Sequence, residues 1–116
     1  MTMEKIETLD HAAGFPAYVA MPAGEPIAAI VVIQEIFGVN PGIRQKADSL
    51  AAQGYLAVAP DLFWRINADT DLDPDVEPQF KKALDLMGAF DQQQGVLDIE
   101  ATIRWARQKS GGKKVG

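Results

Sequence analysis

Apolar and polar residues follow one another along this chain in blocks that predict a succession of strands and helices. The strongest block is Ala28–Ile33, six consecutive apolar residues with neither helical nor alternating period. Such a run predicts a strand buried on both faces of a parallel sheet. It gives way at once to Gln34-Glu35, then to Gly38 and Asn40-Pro41, a sharp loop into a helix with Asn as N-cap and Pro in the first turn. Ile43, Ala47, Leu50 and Ala51 fall on one stripe of that helix, and Gly54 stops it. Tyr55–Ala59 is a second continuous apolar strand, ending at Pro60-Asp61. Strand, helix and strand together make a βαβ unit with parallel strands and a right-handed crossover.

The flanks follow different periods. Lys5–Leu9 and Phe15–Met21, joined by a turn over Asp10–Gly14, predict an antiparallel hairpin at a sheet edge. From Arg65 to Glu77 periodicity is lost, and then two helices are expected. The first covers about Glu77–Phe90, with Phe80, Ala83, Leu84 and Met87 on its apolar face. The second carries Val96, Ile99, Ile103 and Ala106, with Asp91 as candidate N-cap. Gly95, which costs about 1 kcal/mol relative to Ala within a helix, allows the start to fall after it. Asp98 and Glu100 near its start and Arg104, Arg107 and Lys109 near its end suit the helix dipole. After Ser110-Gly111-Gly112, Lys113–Gly116 read as the first residues of another strand. The fold class is therefore α/β, a mixed sheet with an antiparallel edge hairpin, a parallel centre and flanking helices.

Composition narrows the functions. The 116 residues match one domain and not two. A net charge of −5, with no basic stripe beyond the cluster Arg104–Lys114, argues against nucleic acid as a partner. There is no cysteine, so no disulfide, thiolate metal site or thiol nucleophile can form within the chain. The single histidine, His11, lies in the hairpin turn and reads as a solvated loop residue; neither a zinc site nor any other cofactor is expected. Asp69, Asp71, Asp73 and Asp75 imitate the start of a calcium loop, but Pro74 replaces the required Gly and Phe80 the bidentate Glu. The opening residues lack an apolar leader and no run has membrane-spanning length, so no membrane partner is expected and a soluble, cytoplasmic protein is the default.

Candidate chemistry gathers at the carboxyl ends of the two apolar strands, where open α/β sheets bind ligands. Glu35 ends the first. Asp61 ends the second, on the same rim, and reads as a carboxylate capping the turn at Pro60. Leu62-Phe63-Trp64 could wall a pocket or pack beneath the loop. No GxGxxG follows the first strand, which disfavours a dinucleotide site.

The run QEIFGVNPGIRQKADSLAAQGYLAVAPDLFWR, Gln34–Arg65, resembles the dienelactone hydrolase (carboxymethylenebutenolidase) family of α/β-hydrolases, and AFDQQQGVLDIEATIRWAR, Ala89–Arg107, resembles its next section. The resemblance implies hydrolysis of a small lactone or carboxylic ester by a Cys–His–Asp triad. It implies that Glu35 is the partner of the cysteine thiol, taking its proton when substrate binds. It also implies that Ile36 gives a backbone N–H to the oxyanion hole, and that Glu35 stands at a desolvated strand end. The family's G-x-C-x-G elbow would follow a strand like Lys113–Gly116, and its Asp and His would come later. The family's substrate-binding Arg falls at or near Phe80, beside Lys81 and Lys82, which puts carboxylate recognition in doubt. On this reading residues 1–116 are the amino-terminal half of an α/β-hydrolase domain, inactive alone and expected to self-associate through an exposed sheet edge. The alternative is a self-standing α/β module that binds a small molecule or partner without catalysis.

Overall fold

A computed structural model describes residues 1–116. β1 (Thr2–Glu7) and β2 (Gly14–Ala20) form the antiparallel hairpin, in register from Thr2 opposite Val19 to Glu7 opposite Gly14. β3 (Ala29–Val31), α1 (Pro41–Ala52) and β4 (Leu56–Pro60) form the βαβ unit, with Ala29 beside Leu56 and Val31 beside Val58 in parallel. β2 also pairs antiparallel with β4, so the strand order is β1-β2-β4-β3. On the outer side of β3, Val115 lies parallel to Ala29. The Val31 N–H donates to the Gly116 carbonyl at 2.8 Å there, an isolated bridge where the sequence predicts a further strand.

β1 lies three residues earlier at its start than the alternation predicts. Only Ile6 of this edge strand is buried, so main-chain pairing with β2 defines it and its apolar pattern is weak. β4, in contrast, is buried at every residue because it has a strand on either side and a helix over each face. Leu56 and Val58 face one layer, with Phe15, Val19, Ala101 and Ala106; Ala57 and Ala59 face the other, with Ala47, Ala51 and Ile43. That alternation is the period of two of a strand, and the alanines let α1 approach closely. The expectation that Ala28–Ile33 is buried on both faces is only partly met. Ala29 is buried, Ile30 to Val32 are half-buried, and Ile33 is exposed, because β3 is flanked by a full strand on only one side.

The Asn40 side chain caps α1 by accepting from the Ile43 N–H at 3.2 Å, with Pro41 opening the helix. Across the same face the Tyr18 hydroxyl donates to Asp48 at 2.7 Å. Burial and that carboxylate push its pKa up to about 12.

After β4 come α2 (Trp64–Asn67), a short helix the sequence does not predict, then α3 (Glu77–Ala89) and α4 (Gln92–Lys109). Asp91 caps α4, accepting from the Gln93 and Gln94 N–H groups, so Gly95 lies inside the helix and not before it. Both helices bury a face rotated from the expected one, which keeps only Ala83 of the residues expected in α3 and Ala106 of those expected in α4. In α3 the buried residues are Ala83 and Leu86, while Phe80, Leu84 and Met87 are exposed. In α4 they are Gly95, Asp98, Ala101, Thr102 and Ala106; Val96 is 64% exposed. Small residues let α4 sit close on the sheet, and close approach outweighs the size of any one apolar side chain. No helix is long and apolar enough to cross a membrane.

Candidate active site

The carboxyl ends of β3 and β4 form one rim. The Val32 N–H carries the parallel ladder on to the Val58 carbonyl, and Gln34 then spans the gap, its side-chain oxygen accepting from the Leu62 N–H at 2.8 Å. Glu35-Ile36-Phe37-Gly38 is a tight turn, closed by the Gly38 N–H on the Glu35 carbonyl at 3.3 Å. Gly38 has φ +82°, and a Cβ there would stand 2.1 Å from the Thr70 carbonyl oxygen. Both the handedness and the space demand glycine. The loop after α2 clamps this turn: the Leu72 N–H donates to the Phe37 carbonyl at 2.9 Å, and Phe37 packs on Phe80 of α3, ring centres 5.9 Å apart. Gly38→Ala is expected to destabilise the protein by about 2 kcal/mol or more, since it combines left-handed strain with a clash against backbone. Thermal unfolding measures it, and a melting temperature equal to that of the parent chain would contradict this account of the turn.

Asp61 lies on the same rim but is turned away into the loop. Its carboxylate is buried and accepts from the Phe63 N–H at 3.1 Å and the Asp69 N–H at 2.7 Å. Burial holds its pKa above the usual carboxylate range, with those two N–H groups opposing. It is the turn carboxylate that the sequence predicts. The alternating acids beyond it separate: Asp71 pairs with Arg44 at 3.1 Å, and Asp73 accepts from the Asp75 N–H at 2.9 Å. His11, exposed, pairs with Glu7 at the far hairpin turn.

Between this rim and the helices opens a cleft of about 350 Å³. Ile33, Leu62, Phe63, Phe90, Val96 and Ile99 make it apolar, Gln34 and Gln92 are polar, and Glu35 is its one charged residue. Phe63 meets Phe90 edge to face at 5.6 Å, and of the run after Asp61 Leu62 and Phe63 line the cleft while Trp64 packs on Phe15. Gly95 earns its place here. A Cβ on it would come within 2.3 Å of the tip of the Phe90 ring, so the glycine that looks costly in the helix lets the ring meet α4 end-on. Phe80, at or near which the resemblance implies a substrate-binding arginine, packs on Phe37 and is absent from the lining, and Lys81 pairs with Glu77 in solvent.

The structure brings Glu35 and Ile36 together at the mouth of this cleft. Glu35 is exposed, so the desolvated surroundings expected of it are not found within these 116 residues. Its carboxylate makes no hydrogen bond or ion pair, and only its carbonyl is engaged. The Ile36 N–H donates to no group of the chain.

One cluster that supports the site is missed by sequence reasoning. Asp98, 1% exposed, receives the Trp64 indole N–H at 2.9 Å, and the Arg65 guanidinium grips both of its carboxylate oxygens. Trp64 in turn stacks on Phe15 at 5.8 Å, with Arg65 over its ring. Asp98 therefore bolts α4 to the exit of β4 and is no solvated dipole partner. An acid within a stripe of small residues was the available signal, but its partners are 33 and 34 residues away.

Strand order, helices on both faces of the sheet and an acid-bearing turn after β3 define an α/β-hydrolase-like fold. More narrowly, the chain belongs to the dienelactone hydrolase family, whose model matches residues 15–116. It is 48% identical over 101 residues to a carboxymethylenebutenolidase of Pseudomonas putida, a match covering 85% of this chain and 43% of that protein. A solved Klebsiella pneumoniae structure, provisionally assigned as a dienelactone hydrolase, superposes with a TM-score of 0.69 at 31% identity, over 92% of this chain and 44% of that one. A dienelactone hydrolase-like promiscuous phosphotriesterase from metagenomic libraries shares the fold at 20% identity and a TM-score of 0.63, over 98% of this chain and 46% of that one. The chain thus spans less than half the length of the relatives it matches.

Proposed function

We propose that this chain supplies one half of a hydrolase site for small lactones and carboxylic esters, served by a Cys–His–Asp triad whose members lie outside these residues. The observation that carries the reading is the turn at Glu35 and Ile36, which sets a carboxylate with no partner and a backbone N–H with no acceptor at the mouth of an apolar cleft. The thiol mechanism proposed here uses both. Glu35 holds the cysteine thiol and takes its proton as substrate enters, and the thiolate then attacks the carbonyl carbon. As that carbon becomes tetrahedral, negative charge grows on its oxygen, where the Ile36 N–H and the N–H after the nucleophile donate to it. The apolar walls contributed by Phe63, Phe90 and Ile99 suit the uncharged body of the substrate and exclude water from the acyl group.

With no cysteine among the 116 residues, the chain alone is expected to hydrolyse neither p-nitrophenyl acetate nor dienelactone above the rate of buffer. The test has a second arm. Residues 15–116, placed over the matching segment of the Pseudomonas putida relative, are expected to give a hybrid that hydrolyses both compounds. Saturable turnover by the isolated chain, or a folded hybrid with no turnover, would overturn the reading.

A further inference from the structure

We infer that Gln34 is a positioning residue for the Ile36 oxyanion donor, holding the Glu35–Ile36 peptide in the one orientation that presents its N–H; this rests on the role proposed for Ile36 above. The Gln34 side chain bridges two groups that cannot exchange roles. Its oxygen accepts from the Leu62 N–H at 2.8 Å at the exit of β4, and its nitrogen donates to the Glu35 carbonyl at 3.0 Å. A main-chain N–H can only donate and a carbonyl can only accept, so the partners themselves decide which way the amide points. The Glu35 carbonyl is held a second time by the Gly38 N–H at 3.3 Å.

In a trans peptide the N–H points opposite to the carbonyl. Drawing the Glu35 oxygen back toward Gln34 and Gly38 therefore turns the Ile36 N–H the other way. That N–H has no acceptor in the chain, while Ile36 lines the cleft. A flipped peptide would lose both bonds to the carbonyl and set an oxygen where substrate charge develops, which would repel the oxyanion. The same amide registers the turn against β4, since its other end is anchored at Leu62 beside Phe63 of the cleft wall.

Two substitutions separate the two ends of the amide. Gln34→Glu keeps an acceptor for Leu62 and removes the donor to Glu35; Gln34→Met keeps length and bulk and removes both. In the ¹⁵N-labelled 116-residue chain, Gln34→Glu is expected to displace the Ile36 amide resonance and lower its order parameter from about 0.85 to below about 0.6, with the Leu62 order parameter unchanged. Gln34→Met is expected to move both. In the hybrid hydrolase, Gln34→Met is expected to lower kcat about tenfold with KM changed less than about twofold and the pH profile unaltered, since a displaced oxyanion donor is felt in the transition state. Ile36 resonances and order parameters unchanged in both variants would overturn the hold on the peptide. Reorientation of Ile36 with kcat unchanged would overturn the oxyanion role and with it the catalytic part of this inference. A hybrid insensitive to Glu35 but slowed by Gln34→Met would instead strike only at the thiol-partner reading.

Discussion

In the hybrid carrying residues 15–116, Glu35→Gln is expected to lower kcat/KM for p-nitrophenyl acetate by about 100-fold, within the range of a lost general base. Glutamine has the same shape and cannot take up the thiol proton. The fold should not register the change. The carboxylate of Glu35 has no hydrogen bond or ion pair, and the turn is held through its carbonyl, which glutamine keeps. Melting temperatures of the two proteins are therefore expected to agree within about 2 °C, as for other exposed substitutions. Glu35→Asp, which retains the charge but withdraws it by one methylene, should fall between them in rate. If Glu35→Gln left kcat/KM unchanged, the carboxylate would have no part in the chemistry.

The largest stability effect is expected at Asp98. Asp98→Ala strips a buried acceptor from the Trp64 indole and a paired charge from Arg65. Breaking a buried ion pair from one side costs about 3–5 kcal/mol. The lower end applies here, because the Arg65 side chain is 31% exposed and can turn to water once released. A loss of about 3 kcal/mol corresponds to a fall of about 10 °C in melting temperature for a domain of this size. Asp98→Asn should lose less, since its oxygen still receives the Trp64 N–H. The effect also reaches the site: Asp98 holds α4 on the sheet, and Gly95, Val96 and Ile99 of that helix line the cleft. A melting temperature for Asp98→Ala within about 2 °C of the parent would show that the cluster does not carry the packing of α4.

Much of the site's address is local and can be read without the fold. The apolar run into Gln34-Glu35, the Asn40-Pro41 helix start and the continuous strand before Pro60-Asp61 depend on neighbours in sequence, and the structure reproduces them as β3, α1 and β4. The turn role of Asp61 was legible for the same reason, since a short carboxylate finds its N–H partners within eight residues. The helical faces were less legible. Periodicity ranks side chains by apolarity, whereas α4 packs by closeness, burying Gly95 and Ala101 beside the expected Ala106 and leaving Val96 outside. Gly95 shows the difference most clearly: a penalty by propensity, it is the space into which the Phe90 ring fits.

By itself, then, the sequence determined the order of elements other than α2, the parallel βαβ centre with its antiparallel hairpin and the motif that places Glu35 and Ile36 at a strand end, because each is encoded by residues a few positions apart. Only the tertiary structure decided that Gln34 joins the ends of β3 and β4, that Asp98 meets Trp64 and Arg65, and that Phe63, Phe90 and Ile99 close a cleft beside Glu35. Those pairings join residues 28 to 64 positions apart, and nothing in either partner's local pattern specifies the other. They exist because burying the sheet's two faces forces the helices into place, and the polar groups carried in with them must find partners there.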